Sequence, residues 1–381
     1  MSDMSIHIHT VSGRADLRKF VRFPETLYRD NPYYTPPLVV DELNTLSPRK
    51  NPASEFCESA LFLAYKDGKI AGRVAAIVNN LANSQWNHKE VRFGWLDFID
   101  DREVPAALLA KVEEFGREKG METIVGPLGF TDFDPEGMLV EGFDRESTMA
   151  LRYNYPYYKE HIEALGFTKD VDWVECRIFD GTFPEKMFRF SKIAGERAGV
   201  HLRKMTRRAA RKENYPLKLF NLINICYKDL YDYTVMPEHM AEKYIGFYMT
   251  FLKMEYLSFA ENEKGELVAF GLSMPSLARA LRKCRGRLLP FGWWHILKAL
   301  VGKGNDGVEL LLIGVRPDYR NTGINSIIVS DLFKIFIDDG VKWAETNAIL
   351  ETNVQNLRQW ELFSKECVKR RRAYKKAIER V

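Results

Sequence analysis

VELLLIGVRPDYRNTGINSII, residues 308–328, is the stretch that decides the fold predicted for this chain. Six apolar residues within 308–315 predict a buried strand, Arg-Pro-Asp at 316–318 predicts a turn, and residues 324–328 carry isoleucines at helical spacing. The first N–H groups of a helix have no partner within the helix and lie at the positive end of its dipole. Gly323 leaves the backbone there open to an anion because it has no Cβ. The pattern therefore predicts a phosphate site between a strand and a helix.

Four residues of this stretch resemble motif A of the GNAT superfamily of acyl-CoA-dependent N-acyltransferases. In that motif a strand ending in V-x-P-x-x-R precedes an Arg/Gln-x-x-Gly-x-Gly/Ala loop, and the matching residues are Val315, Pro317, Arg320 and Gly323. Asn325 stands where the motif has its last Gly or Ala, which is a departure from the family pattern. An ordinary strand–turn–helix connection is the other interpretation of the same residues. The resemblance implies acetyl-CoA or another acyl-CoA as co-substrate, and we expect no metal.

The resemblance also implies which residues bind the coenzyme. Backbone groups of the central strand would meet the pantetheine arm at Ile313, Gly314 and Val315. N–H groups of the following loop would hold the pyrophosphate, and that loop comprises Arg320, Asn321, Thr322, Gly323, Ile324 and Asn325. The Arg320 side chain would add charge-assisted hydrogen bonds.

A second landmark lies near the end of the chain, in residues 351–363, ETNVQNLRQWELF. This stretch resembles the GNAT segment in which an Asn opens the last helix beside the coenzyme, three residues before an Ala and seven before a Tyr. Asn356 takes the Asn position, Gln359 the Ala position and Phe363 the Tyr position. The family's Tyr donates a proton to the leaving thiolate, which a phenylalanine cannot do.

Direct acyl transfer to an amine needs a base for the amine and a proton for the leaving thiolate. Glu309 is the best candidate for the base, because alternation along a strand places it on the same side as Leu311 and Ile313. A Glu at a strand start also occurs as a solvated edge residue. Tyr374 on the predicted last strand, or solvent, would protonate the thiolate.

The N-terminal half repeats the predicted order of elements. ALFLAYKDGKIAGRVAAIV, residues 60–78, predicts a hairpin with an Asp-Gly turn, and a strand, a helix and another strand follow over 91–125. The loop after its central strand, residues 100–103, reads Asp-Asp-Arg-Glu and has no glycine, so its acids would repel a pyrophosphate. We therefore predict an α/β (α+β) protein with two GNAT-like domains in tandem, each a mixed, mostly antiparallel sheet flanked by helices. Residues 1–180 would form a domain without a coenzyme loop and residues 181–381 the domain with the acyl-CoA site.

Composition limits the class of protein. The 381 residues include 46% hydrophobic residues and carry a net charge of only +4, which suits a folded protein and gives no general case for nucleic-acid binding. Five scattered cysteines, no secretory signal pattern and no apolar run of about 18 residues predict a soluble cytoplasmic protein. The basic cluster at 203–212 has no interleaved aromatic residues, so a solvated face is the preferred interpretation.

Residues 277–301 form a predicted insertion before the central strand of the second half. Its basic start and its Trp293-Trp294 pair resemble an interfacial membrane anchor, but a helix packed on the acceptor channel is the preferred interpretation. A membrane surface is therefore the less favoured partner.

Three functions stay open. The first is an N-acyltransferase, most simply an N-acetyltransferase, that acts on a small-molecule or peptide primary amine. The chain also resembles a family of large bacterial GNAT proteins that carry a GPLGFT…EGFD…YNYPYY…LGF pattern. The second is a non-catalytic acyl-CoA sensor, which Asn325 and Phe363 favour. The third is a long-chain N-acyltransferase docked at the membrane surface.

Overall fold

The computed structural model describes residues 6–179, 185–246, 252–301 and 306–379. The chain folds into two compact units. The N unit consists of Met1–Val174 together with Ala278–His295 and Val368–Val381, and the C unit consists of Glu175–Leu277 and Ile296–Cys367. The boundary predicted between residues 180 and 181 lies outside the described residues and stays a prediction.

The described residues contain fourteen strands. The strands are β1 His7–Thr10, β2 Cys57–Lys66, β3 Lys69–Asn79, β4 Glu90–Phe98, β5 Thr123–Gly126, β6 Met138–Glu141, β7 Thr168–Phe179, β8 Val200–Leu202, β9 Leu257–Asn262, β10 Leu267–Pro275, β11 Gly307–Val315, β12 Trp343–Thr346, β13 Ile349–Leu350 and β14 Lys365–Ala377.

The α-helices flank these strands, and short 3-10 turns lie at Pro52–Glu55, Glu238–Met240, Met254–Tyr256 and Pro317–Tyr319, with a π-helical turn at Glu242–Gly246. The helices are α1 Gly13–Leu27, α2 Val39–Thr45, α3 Asn80–Trp86, α4 Glu103–Glu118, α5 Tyr157–Ala164, α6 Glu185–Ala198, α7 Arg207–Lys212, α8 Tyr215–Tyr227, α9 Ala278–Cys284, α10 Gly292–Val301, α11 Ile324–Asp338 and α12 Val354–Arg358.

The N unit is built on a mixed sheet in the order β1-β2-β3-β4-β5-β14. The turn between β2 and β3 confirms the predicted hairpin, because Asp67 and Gly68 both take the left-handed conformation that it requires. β4 and β5 are parallel and are connected through α4, whereas the other pairs in this order are antiparallel. Helix α4 buries its apolar face, including Val104 and Leu108, in the core of this unit.

The C unit repeats this plan in the order β8-β9-β10-β11-β12, with the end of β7 beside β12. β11 and β12 are parallel and are connected through α11, and the remaining pairs are antiparallel. Helices cover both faces of the sheet. A Cβ added to Gly271 would meet Ile328 of α11 at 2.4 Å, and one added to Gly314 would lie 3.2 Å from the Cys226 Sγ of α8. The predicted fold class, with a mixed and mostly antiparallel sheet in each unit, is confirmed.

The insertion does not take the predicted position. Residues 278–295 belong to the N unit. The Val39 N–H donates to the Gly286 carbonyl at 2.9 Å, and a Cβ on Gly286 would lie 2.0 Å from the Pro37 carbonyl oxygen, so only glycine fits this close approach. Trp293 and Trp294 are exposed, so these two side chains pack on no acceptor channel.

Two further predictions concern cysteines and membrane spans. All five cysteines are free thiols in the structure, and three of them are buried. Within the described residues, none of the helices has the length and the apolar character needed to cross a bilayer.

Candidate functional site

The candidate site begins at β11, where this strand loses its parallel neighbour. β12 pairs with β11 only from Gly307 to Leu310 and ends at Thr346. The Asn347 N–H then donates to the Leu310 carbonyl at 2.9 Å, and the chain leaves the sheet. From Leu312 onward β11 stays paired with β10 on its other side. Among the described residues, no strand pairs with this edge of β11 beyond Leu310.

A β-bulge in β11 changes which side chains share a face. Leu311 is an extra residue in the pairing with β10, since its two neighbours stand opposite consecutive residues of that strand. Glu309 therefore lies opposite Met274, and Ile313 lies opposite Gly271, three residues away along β10. Residues three apart on a strand point to opposite faces. The prediction that Glu309 points to the same side as Ile313 is wrong, because the bulge interrupts the alternation.

Glu309 points to the face that α8 covers, which it shares with Gly314. Its side chain is buried, with 2% of the residue exposed, so it is no solvated edge residue. The Ser276 hydroxyl donates to Glu309 Oε1 at 2.8 Å. A buried carboxylate with a fixed hydrogen-bond partner is an arrangement suited to proton transfer.

Tyr227, the last residue of α8, contacts the open edge of β11. Its hydroxyl donates to the Ile313 carbonyl at 3.0 Å and accepts from the Ile313 N–H at 3.2 Å. Burial raises the pKa of Tyr227, so the hydroxyl keeps its proton at neutral pH. A side-chain hydroxyl thus satisfies both main-chain groups of Ile313. No motif in the sequence marks Tyr227.

The loop after β11 has the conformation that the sequence predicts. It passes through the 3-10 turn Pro317–Tyr319, and Asn321 and Gly323 then take left-handed conformations with φ of 64° and 85°. Gly323 is the N-cap of α11 and has no side chain to bond the first N–H groups of the helix. A Cβ at Gly323 would also lie 2.8 Å from the Phe190 ring. The N-terminus of α11 is therefore open to an anion.

The other loop residues fix its shape. The Thr322 hydroxyl donates to the Tyr319 carbonyl at 2.6 Å, Ile324 is buried, and Asn325 is half-buried in the first turn of α11. Arg320 is half-buried and donates from Nη2 to the Cys226 carbonyl at 3.0 Å. Its guanidinium therefore ties the end of β11 to α8 and keeps its positive charge beside the loop.

The second landmark lies against this loop. The Gln355 side chain donates from Nε2 to the Asn321 Oδ1 at 3.2 Å. Asn353 caps α12 by accepting from the Asn356 N–H at 3.2 Å, and the Gln359 amide donates to the Asn356 Oδ1. The structure thus brings together two segments, around Asn321 and Asn356, that the sequence separates by more than thirty residues.

Two aromatic residues fill other roles. Phe363 packs with Phe333 of α11 at a ring-centroid distance of 4.8 Å, so it is a core residue of the C unit. Tyr374 lies in the N unit on β14, opposite Gly126 of β5, and donates to Glu163 at 3.1 Å. It is fully buried, and burial raises its pKa. The structure places this predicted acid and the α11 loop in different units.

In the N unit the two parallel strands, β4 and β5, also separate after a few paired residues. β4 and β5 pair only as far as Arg92 and Val125, after which the Leu128 N–H donates to the Phe93 carbonyl at 2.9 Å. This bond corresponds to the one from the Asn347 N–H to the Leu310 carbonyl in the C unit. At the start of α4 the Asp101 carboxylate accepts from the Glu103 N–H at 3.0 Å, so an anion of the protein itself fills this helix N-terminus.

No protein-family model matches the chain. Two proteins of known sequence are similar over most of its length. Protein YghO of Escherichia coli is 28% identical over 379 residues, which cover 97% of this chain and 95% of that protein. A protein of Caulobacter vibrioides named bacterial ceramide synthase is 25% identical over 323 residues, which cover 84% of this chain and 83% of that protein.

Solved structures match the fold over the full chain. A tandem GNAT protein from the clavulanic acid biosynthesis pathway superposes with a TM-score of 0.58 at 13% identity, covering 99% of this chain and all of that one. A GCN5-related N-acetyltransferase from Sphaerobacter thermophilus gives a TM-score of 0.53 at 12% identity, covering 98% of this chain and 96% of that one. At these identities the likeness establishes the fold.

Proposed function

Starting from two GNAT folds in tandem, we propose that this protein is an N-acyltransferase that transfers an acyl group from acyl-CoA to a primary amine. One observation carries the proposal: the open edge of β11 leads into a loop with two left-handed residues and an uncapped helix N-terminus. The first main-chain N–H groups of a 15-residue helix lie there, at the positive end of its dipole. This is an arrangement suited to a diphosphate next to an extended polar chain.

The residues present fit a coenzyme A molecule. The loop N–H groups from Asn321 to Asn325 would hold the diphosphate, with Asn356 on the adjoining segment that Gln355 ties to the loop. The Arg320 N–H, which the sequence prediction included, donates instead to the Pro317 carbonyl at 3.2 Å. The Ile313–Val315 edge would bond the pantetheine arm. At Ile313 this edge already bonds a polar partner, the Tyr227 hydroxyl, in the manner of an added strand. Acyl-CoA binding therefore requires that the Tyr227 hydroxyl leave Ile313.

The chemistry that we propose is direct transfer. The amine nitrogen attacks the thioester carbonyl carbon, a C–N bond forms, the C–S bond breaks and the thiolate leaves. Glu309 would take the proton that the amine loses, directly or through a water molecule. We assign no role to Tyr374, because it lies in the N unit in a bond with Glu163. The thiolate would therefore take its proton from solvent.

A narrower acceptor class follows from the similarity to the ceramide synthase of Caulobacter vibrioides. Ceramide is the amide of a fatty acid and a long-chain amino alcohol, so its synthesis forms the same bond that we propose here. Long-chain amines with long-chain acyl-CoAs are therefore the second candidate substrates, beside short amines with acetyl-CoA.

The experiment combines binding and turnover with a matched pair of variants. Acetyl-CoA and palmitoyl-CoA are titrated into the full-length protein by calorimetry, and thiol release is followed with short and long-chain amines. Gly323→Ala adds a Cβ at a left-handed position facing Phe190, whereas Gly340→Ala adds one at a left-handed position beyond the other end of α11, where nothing lies within 4 Å. Both substitutions carry a similar backbone cost of about 1 kcal/mol.

We expect acyl-CoA binding, thiol release that depends on an amine, and an affinity that falls about tenfold or more in Gly323→Ala but not in Gly340→Ala. Binding without amine-dependent release would favour the non-catalytic sensor. If neither acyl-CoA binds, both the enzyme and the sensor are excluded.

A further inference from the structure

An exposed apolar surface lies on the N unit, on the insertion at residues 278–295. Four large apolar side chains of this segment face solvent: Leu289 is 80% exposed, Phe291 74%, Trp293 48% and Trp294 56%. The two indole rings meet edge to face, with centroids 5.9 Å apart. Large apolar side chains that cluster on a surface in this way mark an interaction site.

The exposure is built into the fold, because the segment is fixed to the N unit at its other side. Gly286 binds Val39 through its carbonyl and approaches Pro37 so closely that no Cβ fits between them. Arg282 and Arg287, which flank this contact, pair with Glu146 and Glu25. The Trp293 Nε1 donates to the Pro290 carbonyl at 3.2 Å, which satisfies the polar edge of that indole within the segment. The apolar side chains are thus exposed on a segment that these contacts hold in place.

The charged residues of the segment that carries this surface have one sign. Residues 277–305 contain seven Lys and Arg residues and no Asp or Glu. Two of the cations in the N unit, Lys283 and Arg285, are exposed and lie within a few residues of the apolar cluster. Tryptophan beside lysine and arginine is the composition of protein segments at a membrane–water interface, where indoles sit at headgroup level and cations meet anionic lipid.

We propose that the surface formed by Leu289, Phe291, Trp293 and Trp294 docks the protein on the face of an anionic lipid bilayer. The apolar side chains enter the headgroup region, and Lys283 and Arg285 pair with lipid phosphates. A second copy of this chain is a poorer occupant, because its equivalent surface carries the same positive charge. The inference does not rest on the proposed acyl transfer, since none of these residues belongs to the α11 loop.

The test measures co-sedimentation of the full-length protein with vesicles, without acyl-CoA. The vesicles are phosphatidylcholine alone or phosphatidylcholine with phosphatidylglycerol. Trp293→Ser/Trp294→Ser removes the indoles, and Ile337→Ser/Leu362→Ser is the control, because it removes two apolar side chains that are 53% and 66% exposed on the C unit. Lys283→Glu/Arg285→Glu tests the cations.

We expect the wild-type protein to bind the phosphatidylglycerol vesicles most tightly and the control variant to bind equally well. The tryptophan variant should bind about tenfold or more weakly to both vesicle types, and the charge-reversed variant should lose only the preference for phosphatidylglycerol. Absence of wild-type binding, or an equal loss in the control, would overturn the proposal. So would light scattering that finds a dimer which the tryptophan variant converts to a monomer, since a second copy would then cover this surface.

Discussion

The two units place the same elements around the same divergence of parallel strands. They differ in the residues at the start of the helix that follows the first of these strands. In the N unit the Asp101 carboxylate accepts from the Glu103 N–H at the start of α4. In the C unit a side-chain hydroxyl bonds Ile313, and a glycine leaves the start of α11 open. A carboxylate of the protein itself occupies the start of α4, whereas Gly323 offers no side chain to the start of α11. If the proposed function is correct, the fold alone does not make a coenzyme site, and a few residues at one helix N-terminus decide it.

The largest effect is expected for the proposed base. Glu309→Gln keeps the shape and the Ser276 contact but cannot accept a proton, so kcat should fall about a hundredfold or more while the affinity for acyl-CoA stays unchanged. Turnover by thiol release and binding by calorimetry separate the two quantities. Full activity of Glu309→Gln would mean that the buried carboxylate is structural, like the buried charges of the N unit.

An exchange of charge between the two helix N-termini tests the comparison itself. Asn321→Asp brings to the C unit loop a carboxylate like the one that Asp101 supplies in the N unit, and its oxygen still accepts from Gln355. Repulsion of the diphosphate should weaken acyl-CoA binding about tenfold, and more at low salt. Asp101→Asn is the matched control and should leave acyl-CoA affinity unchanged, because the α4 N-terminus binds no coenzyme. A gain of binding by that control would show that the N unit holds a second site.

The smallest effect concerns the hydroxyl at the open edge. Tyr227→Phe leaves the Ile313 N–H and carbonyl without this partner in the ligand-free protein, which costs about 1 kcal/mol. Acyl-CoA no longer competes with the hydroxyl, so affinity should rise about fivefold while thermal stability falls slightly. Calorimetry and a melting curve measure both. A collapse of kcat instead would identify Tyr227 as the proton donor to the thiolate.

The sequence was sufficient for the local parts of the fold. The Asp67-Gly68 turn and the left-handed Gly323 at the head of α11 follow from residue chemistry, because only a few residue types fit such backbone conformations. Asn356 beside the loop followed from resemblance and not from physics. At the Asp67-Gly68 turn and at Gly323 the residue type alone indicates the backbone conformation.

The rest depends on contacts between distant residues. An apolar run such as LLLI does not indicate the bulge at Leu311. Simple alternation along the strand therefore predicts the wrong face of the sheet for Glu309. Tyr227 gains its role from a contact with Ile313, 86 residues away, which no local pattern in the sequence indicates. Residues 278–295 and the residues from Val368 onward belong to the N unit, and this assignment depends on such contacts as well.

The most direct test is a crystal structure of the full-length protein soaked with acetyl-CoA. We expect the diphosphate within hydrogen-bonding distance of the main-chain N–H groups of residues 321–325, with the pantetheine arm along β11 and the Tyr227 hydroxyl turned away from Ile313. The account would be contradicted if acetyl-CoA bound elsewhere. In that case the Tyr227 hydroxyl would still bond Ile313, and no part of the ligand would lie at the start of α11.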